Sequence, residues 1–478
     1  MPGPAQPDIE HVVVLMLENR SFDCMLGMLY PNDPDFEGLT GQESNVYAGR
    51  PIPVWNDTGM SATTAVIPNP DPGEKFTDVN MQLFGGTGQR TAASPTMNGF
   101  VQNYMMQPPS KDGSYDPRSV LHYFTPDQVP VISTLAKAFG VCDQWYASAP
   151  CQTWPNRFFA HTGTSLGHVD NSTFRVPFPA HSLLRRLEDN DKTWRVYFHD
   201  MPQSGLLRDI WLYALFHYRF FSQFLADAHT GALPSYSFIE PRYFTDLFLS
   251  KIPNDAHPPH NVVYGEQLIA DVYNAVRSSP VWKKTLLIIT YDEHGGCYDH
   301  MPPPAAIPPD THNEYGFSFD TYGVRVPAVI VSPYIPAGSR IRAAPRPIQN
   351  GPPYPFDHTS IIATVRKLFN LGGSLTERDK VAPDLVGALS LVLPTNDGPL
   401  RIDPSTAQPP VTELQTHAAA PPNGMQSSLS AAAASFPLSP PATADDIPPP
   451  AAMARSALPT VATAGADAIT RTKMFLGV

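Results

Sequence analysis

Three short runs of apolar residues, many of them β-branched, stand out along the chain, and each ends abruptly in polar residues. They cover residues 11–17 (HVVVLML), 285–291 (TLLIITY) and 324–331 (VRVPAVIV). Apolar runs of this length are typical of strands that are buried on both faces of a sheet. Residues 262–279 and 358–370 instead carry apolar side chains at three- and four-residue spacing, which predicts amphipathic helices.

Strands that alternate with helices predict an α/β fold with a doubly wound, mostly parallel central sheet and helices on both faces. Residues 1–400 are predicted to form one domain, with long ordered loops over residues 40–120, where Gly, Pro, Asn and Ser are frequent. From residue 401 the composition shifts to Ala, Pro, Ser and Thr, which predicts a tail. Residues 402–452 are expected to be a linker or a tail that lies along the surface and buries little apolar area, and residues 453–478 to form one docked helix.

The overall composition excludes several classes of function. There are 32 Lys and Arg against 44 Asp and Glu, so the net charge of −12 offers no attraction to nucleic acid or to anionic membranes. No apolar stretch reaches the roughly 18 to 20 residues that a transmembrane helix needs. The N-terminus lacks the basic region of a signal peptide. We expect a soluble protein, cytoplasmic as the sequence reads, or secreted or periplasmic if a signal has been removed.

The cysteines do not form a metal-binding or redox motif. Cys24, Cys142, Cys151 and Cys297 lack CxxC and Cys/His finger spacing. We expect buried thiols, with a Cys142–Cys151 disulfide as the alternative.

Adjacent oxygen-donor side chains follow two of the predicted strands. Glu18 and Asn19 follow the first strand, and Asp292 and Glu293 follow the second. In a sheet of this kind, ligands bind beyond the carboxyl ends of the strands. Carboxylates that meet there would repel each other unless a cation lay between them, so the pattern predicts a divalent cation site. The alternative is an ordinary polar strand exit in which Glu18 pairs with Arg20.

Two further segments carry residues suited to phosphoryl chemistry. Thr153 lies just before Pro155, a residue suited to the first helical turn. Its hydroxyl is therefore either a helix N-cap or a group that faces an anion at the helix N-terminus. His257 and His260 stand among prolines in DAHPPH, where a histidine can serve as a general acid or as a donor to phosphate.

Five motifs occur together in one order: ENRSFD, TWPNR, DAHPPH, DEHGGCYDH and GVRVPAVIVSPYIP. In these motifs and their spacing, the chain resembles the phosphoesterase family of bacterial phospholipases C, plant non-specific phospholipases C and AcpA-type acid phosphatases. That family is similar in fold to alkaline phosphatases and arylsulfatases. The resemblance extends from about residue 9 to residue 373 and implies that residues 1–400 are a phosphoesterase catalytic domain.

The resemblance also implies roles for individual residues. It implies one divalent metal cation, whether Ca, Mg, Zn or Mn, with these ligands: Glu18, Asn19, Thr153, Asp292 and Glu293. Thr153 would also be the nucleophile, acting through a phosphothreonine intermediate. His257 would contact the phosphoryl group or protonate the leaving oxygen, with His300 as the second candidate. Arg157 would neutralise charge or brace the helix by an ion pair, and Asn156 and His260 are further candidates for substrate contact.

Two positions depart from the family pattern. Cys24 and Glu74 stand where relatives often have the histidines of SFDH and DPGH. A carboxylate at position 74 would disfavour a phosphate dianion, which leaves three hypotheses open. The first is a hydrolase of small-molecule or lipid phosphoesters, the second a hydrolase of another anionic or non-phosphorus ester, and the third a catalytically silent metal-binding protein. Retention of Thr153 and His257 argues against the third.

Overall fold

The computed structural model describes residues 7–90, 94–109, 115–344, 354–453 and 458–477, so parts of the predicted loop region and of the predicted C-terminal helix lie outside the described residues. The strands, in chain order, are β1 His11–Leu17, β2 Ser44–Tyr47, β3 Arg50–Pro53, β4 Gly140–Val141, β5 Trp145–Tyr146, β6 Arg175–Val176, β7 Trp194–Phe198, β8 Tyr218–Phe220, β9 Tyr236–Ile239, β10 Thr285–Tyr291, β11 Ala328–Val331, β12 Ser339–Arg340, β13 Phe356–Asp357 and β14 Ala451–Ala452. The α-helices are α1 Phe22–Leu26, α2 Phe76–Phe84, α3 Phe100–Tyr104, α4 Pro130–Ala138, α5 Thr153–Thr162, α6 Leu183–Glu188, α7 Ala214–His217, α8 Phe221–Thr230, α9 Val262–Ser278, α10 Thr359–Phe369, α11 Glu377–Val381, α12 Val411–Ala419, α13 Gly424–Ala434 and α14 Val461–Leu476.

A mixed, mostly parallel sheet lies at the centre of the described residues. Its eight strands have the order β12-β4-β11-β10-β1-β9-β7-β8, and the run from β10 to β8 is parallel throughout. Every residue of β10 is buried. Because successive side chains of a strand point to opposite faces, both faces of the sheet are covered at this position. The predicted α/β fold is confirmed.

The third predicted strand is shorter than expected and runs in the opposite direction. Its regular pairing covers only Ala328–Val331, and β11 is antiparallel to β10. Pro327 precedes it, and a proline cannot donate the hydrogen bond that a central strand needs. The carboxyl end of β11 therefore lies at the opposite edge from those of β1 and β10.

The two predicted amphipathic helices are present as α9 and α10. Asn261 starts α9 by accepting a hydrogen bond from Val263 N–H. This helix packs on β1 and β10, the strands whose ends carry the candidate ligands. Both helices end within one residue of the predicted boundaries.

The segment predicted as long loops contains its own small core. It includes the β2–β3 hairpin and helices α2 and α3, and these bury a separate apolar cluster. Val79, Leu83 and Phe100 are members of this cluster. The turn-rich composition therefore hid short elements that are stabilised by each other.

The tail contains more structure than its composition predicted. Helices α12 and α13 lie within residues 402–452, and α14 follows near the C-terminus. Leu429 on α13 and Phe475 on α14 are fully buried and belong to the main core. The prediction of a linker that buries little apolar surface was wrong for this part, whereas a docked C-terminal helix is observed. The small side chains of Ala allow α13 and α14 to pack closely against each other. An Ala-rich composition does not by itself reveal such packing.

Two further expectations can be compared with the described residues. All four cysteines are free and buried, so the alternative of a Cys142–Cys151 disulfide was wrong. No helix in the described ranges has the length and apolar character needed to cross a membrane.

Candidate active site

The exits of β1 and β10 lie side by side. These strands pair in parallel with Leu17 opposite Tyr291, so Glu18 and Asp292 follow at the same level of the sheet. The backbone N–H of Asn19 donates to Asp292 Oδ1 at 3.0 Å. The register of one strand pair therefore brings together two motifs that are more than 270 residues apart in sequence.

Asn19 lies at the centre of the site. Its backbone has a φ of +55°, a left-handed conformation that asparagine tolerates better than most residues. Its side-chain Nδ2 donates to Glu293 Oε1 at 2.9 Å, and its Oδ1 accepts from the hydroxyl of Thr153 at 3.3 Å. The same hydroxyl lies 3.3 Å from Glu18 Oε2. Asn19 thus connects the threonine to the second acidic pair.

Thr153 is the first residue of α5 and does not cap the helix. The N-cap position is held by Gln152, whose side chain makes no capping hydrogen bond. Asn171 Oδ1 instead accepts from the N–H of Trp154 at 2.9 Å. The buried Thr153 hydroxyl is therefore directed at the carboxylates, near the positive end of the helix dipole.

Asn156 has a structural role and is not placed to bind substrate. Its Oδ1 accepts from Ala149 N–H, and its Nδ2 donates to the carbonyls of Ala149, Cys151 and Gln152. All of its polar atoms are used to hold the loop that leads to Thr153. Its position gives no support to the predicted substrate contact, because its amide is fully buried against the backbone of residues 149–152.

Arg157 lies beneath the carboxylates as a buried ion-pair partner. Its Nη2 is 2.7 Å from Glu18 Oε1, and its Nε is 3.5 Å from Asp292 Oδ2. Burial alone would lower the pKa of Arg157, but Glu18 and its neighbours raise it, so the guanidinium stays charged. Of the two predicted roles for Arg157, the structure shows the ion pair that braces the helix.

The electrostatics of the acidic residues fit a bound cation. Burial raises the pKa of Glu18 well above its usual range against the opposing effect of Arg157, and Asp292 raises it further. Burial likewise raises the pKa of Glu293, with additional repulsion from Glu74 and Asp292. Asp292 Oδ2 is buried without a hydrogen-bond partner. Carboxylate, amide and hydroxyl oxygens of this kind are suited to a hard divalent cation.

His257 lies next to the second departure from the family pattern. Its Nε2 is 3.0 Å from Glu74 Oε1, and its Nδ1 is 3.8 Å from Asp71 Oδ1. Burial alone would lower the pKa of His257, but Glu74 and Asp71 raise it well above its usual value. The imidazole is therefore held as a cation when nothing else neutralises the two carboxylates.

Two glycines allow the acidic loop to pack tightly against these groups. Gly295 has a φ of +59°, and a Cβ placed on it would lie 2.2 Å from the carbonyl oxygen of Asn19. Gly296 has a φ of +64°, and its Cβ would lie 2.5 Å from Cβ of Pro72. The loop that carries Asp292 and Glu293 is thus in direct contact with both the ENRSFD turn and the segment before Glu74.

Two predicted site residues, His300 and Cys24, lie in other environments. His300 pairs with Asp23 at 2.7 Å, in a cluster that also contains Asp299 and Arg325, and it makes no contact with Thr153 among the described residues. Its predicted role as the second proton donor is therefore not supported by its position. Cys24 is a core residue whose thiol is near Cys297, so its predicted contact with substrate was wrong.

His260 is buried beside His257, but it is engaged elsewhere. Its Nδ1 is 2.7 Å from Asp255 Oδ1, and the ring centroids of the two histidines are 5.9 Å apart. The N–H of His257 donates to the same Asp255 oxygen at 3.1 Å. His260 and Asp255 therefore support the loop that presents His257, and His260 is not placed to bind substrate directly.

Sequence reasoning missed several residues that complete the site. Gln203 donates from Nε2 to Glu18 Oε1 at 2.8 Å, and Glu240 lies 3.9 Å from Arg157 Nη1. Neither lies in a recognisable motif, so no local signal could have identified them. Asp71 could have been noticed, because it begins the DPGE segment that contains Glu74.

Close groups of three potential ligands differ from the predicted set. Within the described residues, two such groups have ligand atoms that all lie within 4.8 Å of one another. They are Asp71–Glu74–His257 and Asp23–Asp299–His300. Glu18, Asp292 and Glu293 are not such a group, because the side chains of Asn19 and Thr153 lie between them.

Comparison with known proteins identifies relatives that match most of the chain. A model of the Phosphoesterase family matches residues 9–372. The non-specific phospholipase C6 of Arabidopsis thaliana is 38% identical over 430 residues, which cover 87% of this chain and 78% of that protein. The non-specific phospholipase C1 of the same plant is 39% identical over 393 residues, covering 79% and 70% respectively.

Among solved structures, a protein of the alkaline phosphatase superfamily from Vibrio parahaemolyticus is similar over 54% of this chain and 63% of its own. Its sequence identity is 11% and its TM-score is 0.29.

Proposed function

The chain belongs to the Phosphoesterase family and is an enzyme of phosphoric ester hydrolysis; we propose that Thr153 is its nucleophile and that one divalent cation assists it. The observation that carries this proposal is the position of the Thr153 hydroxyl. It is fully buried at the first turn of α5, between Glu18 Oε2 and Asn19 Oδ1. A hydroxyl that does not cap its helix, yet faces two oxygen ligands, is placed for chemistry.

The cation would be held by the side chains of Glu18, Asn19, Asp292 and Glu293 together with the hydroxyl of Thr153. When bound, it would stabilise the alkoxide and the charge that develops on the phosphoryl oxygens. The buried Asp292 Oδ2 accepts no hydrogen bond from the described residues and has only the longer contact with Arg157 Nε at 3.5 Å, which supports this assignment.

In the first step, Thr153 Oγ1 forms a bond to phosphorus while the bond from phosphorus to the leaving alcohol oxygen breaks. Glu18 Oε2 lies within reach of the hydroxyl proton and accepts it. His257 donates a proton to the leaving oxygen. The positive end of the α5 dipole favours the anionic phosphoryl group. The products of this step are the free alcohol and a phosphothreonine, which keeps the second ester group when the substrate is a phosphodiester.

In the second step, water attacks phosphorus and the bond to Thr153 Oγ1 breaks. The proton of the water passes to His257, and Glu18 returns its proton to the threonine oxygen. A phosphate or phosphomonoester leaves, and both side chains regain their starting protonation states. Arg157 keeps its charge throughout, because Asp292 and Glu240 also lie within ion-pair distance of its guanidinium when Glu18 is protonated.

We propose that the substrate is a phosphodiester, and that lipid phosphodiesters are included. The relatives named as phospholipases C support this class. Glu74 lies beside His257 and adds negative charge where a second charge on the substrate would be placed. A dianionic monoester is penalised more by that charge than a monoanionic diester.

The hypothesis that the chain hydrolyses another anionic or non-phosphorus ester loses one of the two residues on which it was based. It rested on Cys24 and Glu74, but Cys24 lies in the core beside Cys297. Only Glu74 changes the environment of the reacting groups. The family assignment also sets aside the hypothesis of a catalytically silent protein.

The test is substitution of the nucleophile. Thr153→Ala is expected to lose nearly all turnover of chromogenic diesters, whereas Thr153→Ser keeps a measurable fraction because the hydroxyl remains. Acid quenching during turnover, followed by mass spectrometry, should find the phosphoryl group with its remaining ester substituent on the peptide that contains residue 153.

Thr460 provides the matched control, because it caps α14 through its side chain. Thr460→Ala should cost about 1 kcal/mol of stability and leave turnover unchanged. Full activity of Thr153→Ala would show that the hydroxyl is not the nucleophile.

A further inference from the structure

Three side chains next to the proposed catalytic site form a compact group of potential ligands. Asp71, Glu74 and His257 each offer one atom, and these atoms all lie within 4.8 Å of one another. His257 is 1% exposed and Glu74 is 8% exposed, whereas the side chain of Asp71 is 32% exposed, so the group is buried on the side of His257 and open to solvent at Asp71.

The ligand atoms of this group have no hydrogen-bond partners. Asp71 Oδ1, Glu74 Oε1 and His257 Nε2 are all buried, and beyond the contacts of His257 with the two carboxylates they have no polar partner among the described residues. His257 Nδ1 lies 2.6 Å from the carbonyl oxygen of Pro258, and a carbonyl can only accept, so Nδ1 carries the proton. In the neutral ring, Nε2 then holds a free lone pair only 3.0 Å from a carboxylate oxygen. Two acceptors this close require a positive species between them.

The other close group of potential ligands differs in this respect. Asp23, Asp299 and His300 are neutralised by Arg325, which donates to Asp23 Oδ1 at 2.9 Å and to Asp299 Oδ1 at 3.0 Å. No Lys or Arg in the described ranges forms an ion pair with Asp71 or Glu74. Of these two groups, the one around His257 has no Arg or Lys in the described part of the chain to neutralise its carboxylates, and only the imidazole of His257 can carry a positive charge there.

We propose that Asp71, Glu74 and His257 form a second divalent cation site, adjacent to the one proposed at the strand exits. One imidazole and two carboxylates are a ligand set that Zn²⁺ accepts, and three protein ligands leave a coordination position open for substrate or water. The all-oxygen set around Asn19 suits a harder ion. The two sites thus have different chemical preferences.

The position of this site follows from the packing of two loops. The Asp292–Gly296 loop contacts the 71–74 segment directly, because Gly296 leaves no room for a Cβ beside Pro72 and Gly73. A cation here would lie on the side of His257, which is the side of the leaving oxygen. The role of this cation in the reaction rests on the proposed function. A proton and a cation would use the same lone pair of His257, so a bound cation would neutralise the leaving oxygen in place of a proton.

The experiment measures metal binding without substrate, so that its outcome does not depend on the nucleophile. The full chain, freed of metal by a chelator, is dialysed against Zn²⁺, and bound zinc is counted by elemental analysis. Glu74→Gln and Asp71→Asn should each lose about one equivalent relative to the unmodified chain, or bind it at least tenfold more weakly. Glu377→Gln, an exposed position whose ion pair is with Lys380, is the control and should bind as the unmodified chain does.

Two further measurements keep the result decisive. Asp292→Asn should retain the equivalent that Glu74→Gln loses, because it changes only the other site. Thermal unfolding establishes that each variant is folded, and Asp71→Asn changes a side chain that is 32% exposed, which makes it the safer of the two substitutions. If Glu74→Gln and Asp71→Asn bind as much zinc as the unmodified chain, the second site does not exist. Full turnover in Thr153→Ala would instead overturn the proposed nucleophile and leave the zinc result of Glu74→Gln and Asp71→Asn unaffected, so the two failures are distinguishable.

Discussion

Asn19 shows how a single residue sets the geometry of the site. It turns the chain out of β1 with a positive φ, and its side chain contacts both Glu293 and Thr153. Gly295 makes this arrangement feasible, because any larger residue would collide with the Asn19 carbonyl. Backbone strain at such a position is typically maintained by surrounding packing where function requires it.

Glu74 is expected to set the choice between substrate classes. Replacement of Glu74 by His removes a negative charge near the phosphoryl group, an interaction of about 1 to 4 kcal/mol at effective dielectrics of about 80 to 20. Glu74→His should therefore shift the ratio of kcat/KM towards monoesters by about tenfold or more, as measured with matched chromogenic mono- and diesters. An equal response of the two classes would mean that Glu74 does not face the phosphoryl group.

Glu266 is expected to make stability depend on pH. Its buried carboxylate accepts from the N–H groups of Val131 and Ile132 at the start of α4, and burial nevertheless raises its pKa to about 8 from 4.5. Between about pH 4.5 and pH 8 the folded chain holds a proton that the unfolded chain releases. Stability should therefore fall as the pH rises through this window, by up to about 1.4 kcal/mol per pH unit.

The measurement is chemical unfolding at several pH values. In Glu266→Gln the part of the pH dependence of stability that comes from Glu266 should disappear, whereas Glu377→Gln should keep it. A slope that is the same in all three proteins would show that the Glu266 carboxyl does not change its protonation on unfolding.

At the scale of elements, short segments gain stability only from their partners. Helix α5 carries Thr153 and packs against α10, while α9 supports the strands that carry the acidic pairs. In the tail, α13 and α14 pack on each other and on Trp211 through Phe436 and Phe475. The boundary of the catalytic domain near residue 400 remains a prediction, but the residues beyond it contribute to the core.

The C-terminal helix is expected to stabilise the fold. Phe475 is fully buried in the main core, so a chain that ends near residue 400 should be less stable than the full chain. Phe475→Ala should cost about 3 to 5 kcal/mol, because it leaves a cavity beside Trp211 and Phe436. The matched control is Met474→Ala on the same helix, a side chain that is 43% exposed, which should change stability by less than about 0.5 kcal/mol. Equal effects in a denaturant titration would contradict this packing.

At the scale of the whole molecule, the proposed cation site joins distant parts of the chain. The exits of β1 and β10, helix α5 and Gln203 all meet at Glu18 and Asn19. Burying these carboxylates costs free energy that a bound cation would offset. Metal binding and folding should therefore be coupled.

Removal of metal is expected to lower the melting temperature reversibly. A cation present at 100 times its dissociation constant adds about 2.7 kcal/mol to the free energy of unfolding, provided that it binds only the folded chain. Dialysis against a chelator should reduce Tm, and added divalent metal should restore it. In Asp292→Ala this response should be largely lost, while the variant remains folded. A variant that still retains its full complement of metal would refute the role of Asp292.

The sequence by itself determined the elements and motifs whose signals are local. Uninterrupted apolar runs defined β1 and β10, the polar residues after them marked Glu18, Asn19, Asp292 and Glu293, and helical spacing marked α9 and α10. Each of these signals lies within a few residues, where side-chain periodicity reports directly on burial. Only the tertiary structure decided which distant groups meet: the antiparallel direction of β11, the place of Cys24 in the core, the ion pair of Arg157 and the convergence of Asp71, Glu74 and His257. Such contacts depend on how complete elements pack, so residues far apart in the chain become neighbours without leaving any mark in the sequence around them.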